Sequence, residues 1–356
     1  MRATAGGSRD EQLMSSTMSD ANELRKSSSS SGFRPAQPIQ IGPPFQWPPK
    51  PLALVKWLFG FPGYLWPWSA FYVGLALVWW LYLRPDLDQM KNLSAGWIAS
   101  LFVENLALLV LFAGAWHLRF YIQKAQGTDY KYNSRWLSAD SPTFLFKDQL
   151  WDNVFWNVCS AVPIWTAYEA STFWLQANGL ALTISWQTHP VYCALLVLLI
   201  PMWLAIHFYT THRVIHWPPL YRWVHYLHHK NVNFGPWSGL AMHPIEHLIY
   251  FSAVVLFWFI PSHPLHTVYL LLLAAIGPSL GHLGFDRLVL SKNICVNTGD
   301  YMHYLHHKYF NVNFGTGLVP LDKWLGTFHD GSDQATEAMR GRMRSRISEK
   351  RVNHFP

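Results

Sequence analysis

The sequence predicts an all-α fold: a polytopic membrane helical bundle of about four spans plus a hydrophobic hairpin, with a cytoplasmic histidine-rich helical cap. Three observations predict it. Hydrophobic residues make up 51% of the 356-residue chain and charged residues only 13%, about half the charged share of soluble domains. The apolar residues fall in long, nearly charge-free stretches, some of the length that crosses a bilayer core. The 20 tryptophans are of the residue type that gathers at the membrane–water interface. The net charge of +7 then reads as cytoplasmic positive bias and contact with anionic lipid heads. No basic stripe or recognition motif supports a nucleic-acid partner.

Taken in order, residues 1–48 are rich in Ser, Gly and Pro, with an unbroken serine run from Ser27 to Ser31. They lack apolar periodicity and read as a disordered tail. No apolar h-region marks a secretory signal, and Asp10, Glu11, Asp20 and Glu23 argue against an organelle transit peptide. A transmembrane region, 49–207, follows. Residues 66–83 are the first apolar stretch and end at Arg84-Pro85. Residues 95–116 are the second, interrupted by Glu104-Asn105; residues 151–175 are the third and hold Asp152, Asn153 and Asn157. Those polar residues are expected to face the bundle interior. Residues 191–209 are the fourth. Two shorter stretches, 248–260 and 267–280, joined by Pro261-Ser-His-Pro264, form a membrane hairpin over 248–281 or two tight spans. Residues 331–356 are a basic C-terminal tail.

Lys and Arg orient the chain. Arg119, Lys124, Lys131, Arg135 and Lys147 lie between the second and third stretches, and Arg340, Arg342, Arg344, Arg346, Lys350 and Arg351 lie in the tail. Positive charge is sparse in 84–94 and absent from 176–190. Both termini and the 117–150 loop are therefore expected on the cytoplasmic side. Cys159, Cys193 and Cys295 are widely separated and form no CxxC, which reads as buried free thiols in a reducing compartment.

The segment from His225 to Gly235, His-Tyr-Leu-His-His-Lys-Asn-Val-Asn-Phe-Gly, returns from His303 to Gly315 with one change, the insertion of Tyr309-Phe310. Each copy carries HxxHH, and His212-Arg-Val-Ile-His216 precedes them. On a helix, positions i, i+3 and i+4 are neighbours. His212 and His216 can grip one ion or bridge two; His225, His228 and His229 aim at one place, as do His303, His306 and His307. Pro218-Pro219 breaks the chain between the first two clusters. His282, after the hairpin, is placed to close the site. His243 and His247, in His-Pro-Ile-Glu-His, are weaker candidate ligands, with Glu246 a candidate acceptor for an imidazole N–H. The two Asn-Val-Asn-Phe-Gly runs read as loops capping the cluster helices, their Asn and Gly structural. His117, His189, His207, His263, His266, His329 and His354 read as interfacial or surface residues. So many imidazoles exceed what one ion takes, and the surplus points to a dinuclear site. Imidazole suits Zn, Cu, Fe and Ni alike, and no catalytic residue separate from the ligands stands out.

The order HRxxH, HxxHH nine residues later, a lone histidine after an apolar hairpin, a second HxxHH and the closing Asp322-Lys-Trp-Leu-Gly-Thr327 resembles the membrane-bound fatty acid hydroxylase / sterol desaturase superfamily. The resemblance runs from residue 208 to 327, and HPxEH is similar to a subset near the sterol desaturases and methyl oxidases. It implies a catalytic region over 208–330 with a non-haem site of two iron ions at the cytoplasmic membrane face. It implies activation of O2 and oxidation of an unactivated C–H bond in a sterol or long-chain fatty acyl lipid, hydroxylation ahead of desaturation. Electrons from NAD(P)H would arrive through an external cytochrome b-type or ferredoxin donor. The chain itself carries no GxGxxG and no CxxCH. The membrane would be the endoplasmic reticulum in a eukaryote or the inner membrane in a bacterium. A membrane metal transporter is the competing class; it would place its ligands near mid-bilayer or in a flexible His-rich loop.

Overall fold

The computed structural model describes residues 32–291 and 294–352, the last seven of these by backbone alone. Three helices are long and apolar enough to cross a membrane: Ala95–Ile122, Pro190–Ile215 and Pro264–Gly281. The chain is a membrane helical bundle, as composition predicts, but its spans are distributed differently.

After α1 (Pro51–Phe59), the first apolar stretch does not form one long rod. Trp66, just before Pro67, sits at φ −123°, ψ 139°, and α2 proper is Ala70–Val78, extended to residue 83 by a wider turn. α3 (Ala95–His117) continues to Ile122. Its polar pair faces inward as expected. Glu104 accepts Trp79 Nε1 at 2.8 Å, and Asn105 donates to Glu169 Oε2 at 2.8 Å, so neither is left unpaired in an apolar interior.

α4 (Gln149–Trp156) starts on Asp148, whose side chain accepts the Trp151 amide. It runs through a wide turn at 157–161 into α5 (Val162–Ala177). Gln149, Asp152, Asn153, Asn157 and Ser160 recur at helical spacing and are all buried. α6 (Pro190–Ile215) does not stop at residue 209; its last turn carries His212. The histidine region thus begins on the rigid extension of a span.

After Pro218-Pro219, a π-turn at Tyr221–His225 leads into α7 (Tyr226–His229). α8 (Pro244–Phe251) opens the expected hairpin, but its second arm, α9 (Pro264–Gly281), is the central helix of the bundle. α9 packs against α2, α3, α5 and α6, and nearly all of its residues are buried. Ala274, Ala275 and Gly277 keep its surface low and permit this close approach.

The all-α expectation needs one addition: β1 (Arg287–Ser291) pairs antiparallel with β2 (Ile294–Asn297), in the register Arg287↔Asn297. α10 (Tyr301–Tyr309) and α11 (Asp333–Val352) complete the chain, so the basic tail is helical through residue 352.

The serine run of the N-terminal tail lies outside the described residues. Residues 32–48, assigned to that tail by composition, instead lie along the protein. The Phe33 amide donates to Lys131 O at 2.6 Å, the Ile39 amide to Asp330 O at 2.8 Å, and Arg34 pairs with Asp333 at 2.8 Å. Phe33 also packs edge-on against Tyr130; scattered apolar residues without periodicity suffice to hold an irregular strap. All three cysteines are free, but only Cys193 is buried. His117, His266 and His329 are buried rather than superficial, and His354 lies outside the described residues.

Candidate metal centre

Nine imidazoles converge in two adjacent groups. His212, His216, His225, His229 and His306 place one nitrogen each within 4.8 Å of one another, and His228, His282, His303 and His307 do the same. The rings of His229 and His307, one from each group, stack at 4.5 Å between centroids. The sorting differs from the sequence expectation. Each HxxHH is split: His225 and His229 face the first group while His228 faces the second, and His303 and His307 face the second while His306 faces the first. Both copies straddle the boundary instead of each forming a separate cradle.

The nitrogens cannot all be joined by hydrogen bonds. His212 Nδ1 lies 2.7 Å from Phe314 O, and His306 Nδ1 lies 2.7 Å from Val312 O. A carbonyl only accepts, so both Nδ1 atoms donate and both Nε2 atoms are bare lone pairs. In the first group five Nε2···Nε2 contacts of 3.0–3.2 Å join His212, His216, His225, His229 and His306. At most His216, His225 and His229 can carry a proton there, one each, so at least two of the five contacts have no hydrogen bond and set like against like, N–H against N–H or lone pair against lone pair. A cation among them removes that repulsion. With metal–nitrogen bonds of about 2.1 Å, adjacent nitrogens of an octahedron lie about 3.0 Å apart, so the observed separations fit such a shell. The second group repeats the spacing: His303 to His282 and His307 to His228 are each 3.1 Å.

Burial suits the imidazoles to this role. Removal from water holds His216 and His228 down to about 3. It also drives His225, His229, His282, His303, His306 and His307 well below the ordinary range, with their neighbours' rings adding to the effect. Protons therefore do not compete for these lone pairs near neutrality.

The surroundings hold the rings in place. His225 Nδ1 is 2.7 Å from Glu246 Oε1. His243 and His247 enter neither group. His243 caps α8 by accepting the Ile245 amide, and buried His247 bonds Ser160 Oγ and Leu240 O. Only the glutamate of HPxEH reaches the site.

The repeated loops have matching roles that their composition did not disclose. Phe234 packs on His282 and His307 at 4.5 and 4.8 Å, walling the second group. Phe314 packs on His216 and His306 at 4.8 and 5.2 Å, walling the first. Asn233 donates to Arg135 O and Trp136 O, and Asn313 donates to Met302 O and His329 O, which ties each loop to a distant segment. Asp322, in the closing Asp-Lys-Trp-Leu-Gly-Thr run, accepts the amides of Phe314 and Gly315 at 2.8 and 2.7 Å. Tyr121, from the end of α3, bonds both Phe234 O and Leu283 O. On the α4 face, buried Asp152 pairs with Lys230 at 2.8 Å, and Gln149 donates to Asn231 Oδ1 at 3.0 Å. A polar stripe at helical spacing in an apolar stretch was the available signal for this last contact set.

A cavity of about 190 Å³ meets the second group only, through His228, His282 and His303. Its apolar walls include Leu204 and Phe208 of α6 and Leu273, Gly277 and Pro278 of α9. Gly239, also in the wall, lies so close to Pro278 that an added Cβ would come within 2.5 Å of its carbonyl oxygen; only glycine permits this approach.

These features define a membrane helical bundle bearing a paired polyhistidine site that opens on an apolar cavity. Residues 194–327 match the family model described as fatty acid hydroxylase, and the chain is similar over about half its length to sterol desaturases. It is 30% identical over 182 residues to the Delta(7)-sterol 5(6)-desaturase of Candida glabrata, which covers 49% of this chain and 48% of that one. The same figures hold for the Delta(7)-sterol 5(6)-desaturase of Saccharomyces cerevisiae. Identity to the Delta(7)-sterol-C5(6)-desaturase of Nicotiana tabacum is 24% over 184 residues, 50% of this chain and 65% of that one. The chain spans about half the length of the two yeast relatives. No solved structure matches it significantly.

Proposed function

We propose that the chain is a membrane oxidoreductase that uses O2 and two iron ions to oxidise a C–H bond in a sterol-like lipid. The observation that carries this reading is the pair of imidazole groups, one of them open to an apolar cavity walled by two candidate spans. His212, His216, His225, His229 and His306 would hold one ion; His228, His282, His303 and His307 would hold the other. Bound iron would supply O2 activation and one-electron redox chemistry. Its choice over zinc or copper rests on the family, since imidazole serves all three.

The residues of the chain do the rest. Leu204, Phe208, Met242 and Leu273 receive an apolar substrate arriving from the bilayer and exclude water from the reacting carbon. With four imidazoles against five, the second group has the smaller protein ligand set, and it is the one beside the cavity. Glu246 orients His225 through a hydrogen bond to its Nδ1, and the carbonyls of Phe314 and Val312 orient His212 and His306 by accepting a hydrogen bond from theirs. Hydroxylation and desaturation share the first hydrogen abstraction. The sequence alone favours hydroxylation; the sterol desaturases among the relatives favour removal of a second hydrogen, so desaturation is the reaction proposed and hydroxylation the alternative. The distribution of Lys and Arg supports a cytoplasmic site, on the endoplasmic reticulum in a eukaryotic cell.

Purified protein is expected to hold close to two irons per chain and to yield, from a sterol, a product lighter by two hydrogens. A product heavier by one oxygen would select hydroxylation. His306→Ala should abolish turnover with the protein still folded. Full activity in that variant, or a metal-filled protein without O2 uptake, would sink the oxidoreductase reading. A metal transporter would instead move labelled metal across vesicles, and the imidazoles' place beside an apolar cavity does not favour that.

A further inference from the structure

Of the nine imidazoles only His216 is not fully buried; it lies in the first group, whereas the cavity meets the second. The ring of Tyr221, half-buried, covers this edge, with centroids 5.5 Å from His216 and 5.6 Å from His229. Phe310 packs beside it, 5.0 Å from His229 and 6.4 Å from Tyr221. Phe310 belongs to the two-residue insertion that distinguishes the second HxxHH copy from the first. It stands at φ +66°, a conformation that costs a bulky residue energy and recurs where function requires a shape. Three exposed cations flank the edge in sequence: Arg213 one turn before His216, Arg222 next to Tyr221, and Lys308 two residues before Phe310. None of the three forms an ion pair among the described residues. Arg213 lies instead over the ring of Phe314 at 4.6 Å.

We propose that this cationic, aromatic edge is the docking surface for an acidic one-electron carrier protein, which delivers electrons to the first histidine group while the lipid occupies the cavity at the second. The inference rests on the oxidoreductase reading above. Desaturation balances as RH2 + O2 + 2e− + 2H+ → R + 2H2O, where R carries the new double bond and O2 is reduced to water. Two of its electrons come from outside the lipid, and the chain shows no motif for a redox cofactor that would store them. The exposed positive charge of Arg222 and Lys308 selects an acidic partner and speeds encounter. Anionic lipid would also be drawn to the cations, but lipid anchoring gives no role to two rings packed at a tilt against the imidazoles.

The test uses the iron-loaded full chain in uncharged phosphatidylcholine nanodiscs with a sterol substrate. Electrons come either from the reduced, acidic haem domain of a b-type cytochrome or from a small chemical mediator. Arg222→Glu with Lys308→Glu should raise KM for the haem domain about tenfold or more and flatten its salt dependence, leaving mediator-driven turnover at the wild-type level. Arg222→Lys with Lys308→Arg, which keeps the charge, should keep the wild-type KM and salt dependence, a rescue that a merely structural defect would not produce. An unchanged KM and salt dependence in the charge-reversed variant would overturn the proposal. So would a variant that loses only its retention on phosphatidylserine vesicles, which would identify the patch as a lipid anchor. Wild-type protein inactive with both reductants would refute the oxidoreductase reading itself, and the docking surface with it.

Discussion

Asp322 and His212 are linked through a single residue: the Asp322 carboxylate accepts the Phe314 amide at 2.8 Å, and the Phe314 carbonyl accepts the His212 Nδ1 proton at 2.7 Å. The same carboxylate takes the Gly315 amide and the Thr327 hydroxyl. It therefore fixes the loop that orients His212 from one side and, through Val312 O, His306 from the other. Asp322→Asn offers one acceptor oxygen where two are used, leaving one buried amide unpaired. The expected cost is about 1–3 kcal/mol of stability, with metal lost preferentially from the first group. Thermal unfolding and metal analysis of the purified variant check both.

Glu246 and His243 separate the orienting role from mere proximity in the motif. Glu246→Gln weakens the acceptor for His225 Nδ1, and metal affinity should fall by about 10–100-fold. His243→Ala removes only a cap of α8 and should leave metal affinity unchanged while costing about 1 kcal/mol. Competition with a chelator measures the first effect and unfolding the second. Equal affinities in the two variants would refute the assignment.

Met242 lines the cavity beside the second group. Met242→Trp fills that space, so lipid turnover should drop at least about tenfold while both ions remain bound. Retained turnover with the full sterol would show that substrate enters elsewhere.

Lys131 gives a pH signature away from the histidines. It is buried among Tyr121, Trp136 and Phe285, its ammonium donating to Asn133 O, Arg135 O and Asn233 Oδ1. Burial pushes it down from 10.5 to about 7. Between those values the unfolded chain holds a proton that the folded chain does not, so this residue makes stability rise as pH increases from about 7 to 10.5. Lys131→Met should be less stable overall, because three acceptors lose their donor, and should lack that rise. Unfolding midpoints in neutral detergent across the range decide it.

Much of the fold was legible in the composition and apolar run lengths, because a bilayer demands long helices with satisfied backbones. The helical stretches around 95–116 and 191–209 lie within observed candidate spans. What hydropathy did not show was that α9 would be central: an apolar helix buried in protein and one facing lipid have the same composition. The break at Trp66 and the strap of residues 32–48 escaped for a related reason, since both depend on contacts made by irregular backbone.

The histidine spacings were determined by the sequence, as was the candidacy of all nine imidazoles that the two groups contain. How each HxxHH divides was decided only by tertiary structure. At about 100° per residue, i and i+4 lie about 40° apart on a helix, whereas i+3 lies about 60° to the opposite side of i. A helix set between two groups therefore sends His225 and His229 one way and His228 the other. Spacing fixes that divergence, but only the packing of α6, α7, α9 and α10 against one another sets what stands on either side. The same packing seals the first group from the cavity, leaves His216 at its edge, and brings Glu246 rather than His243 or His247 into contact with the site.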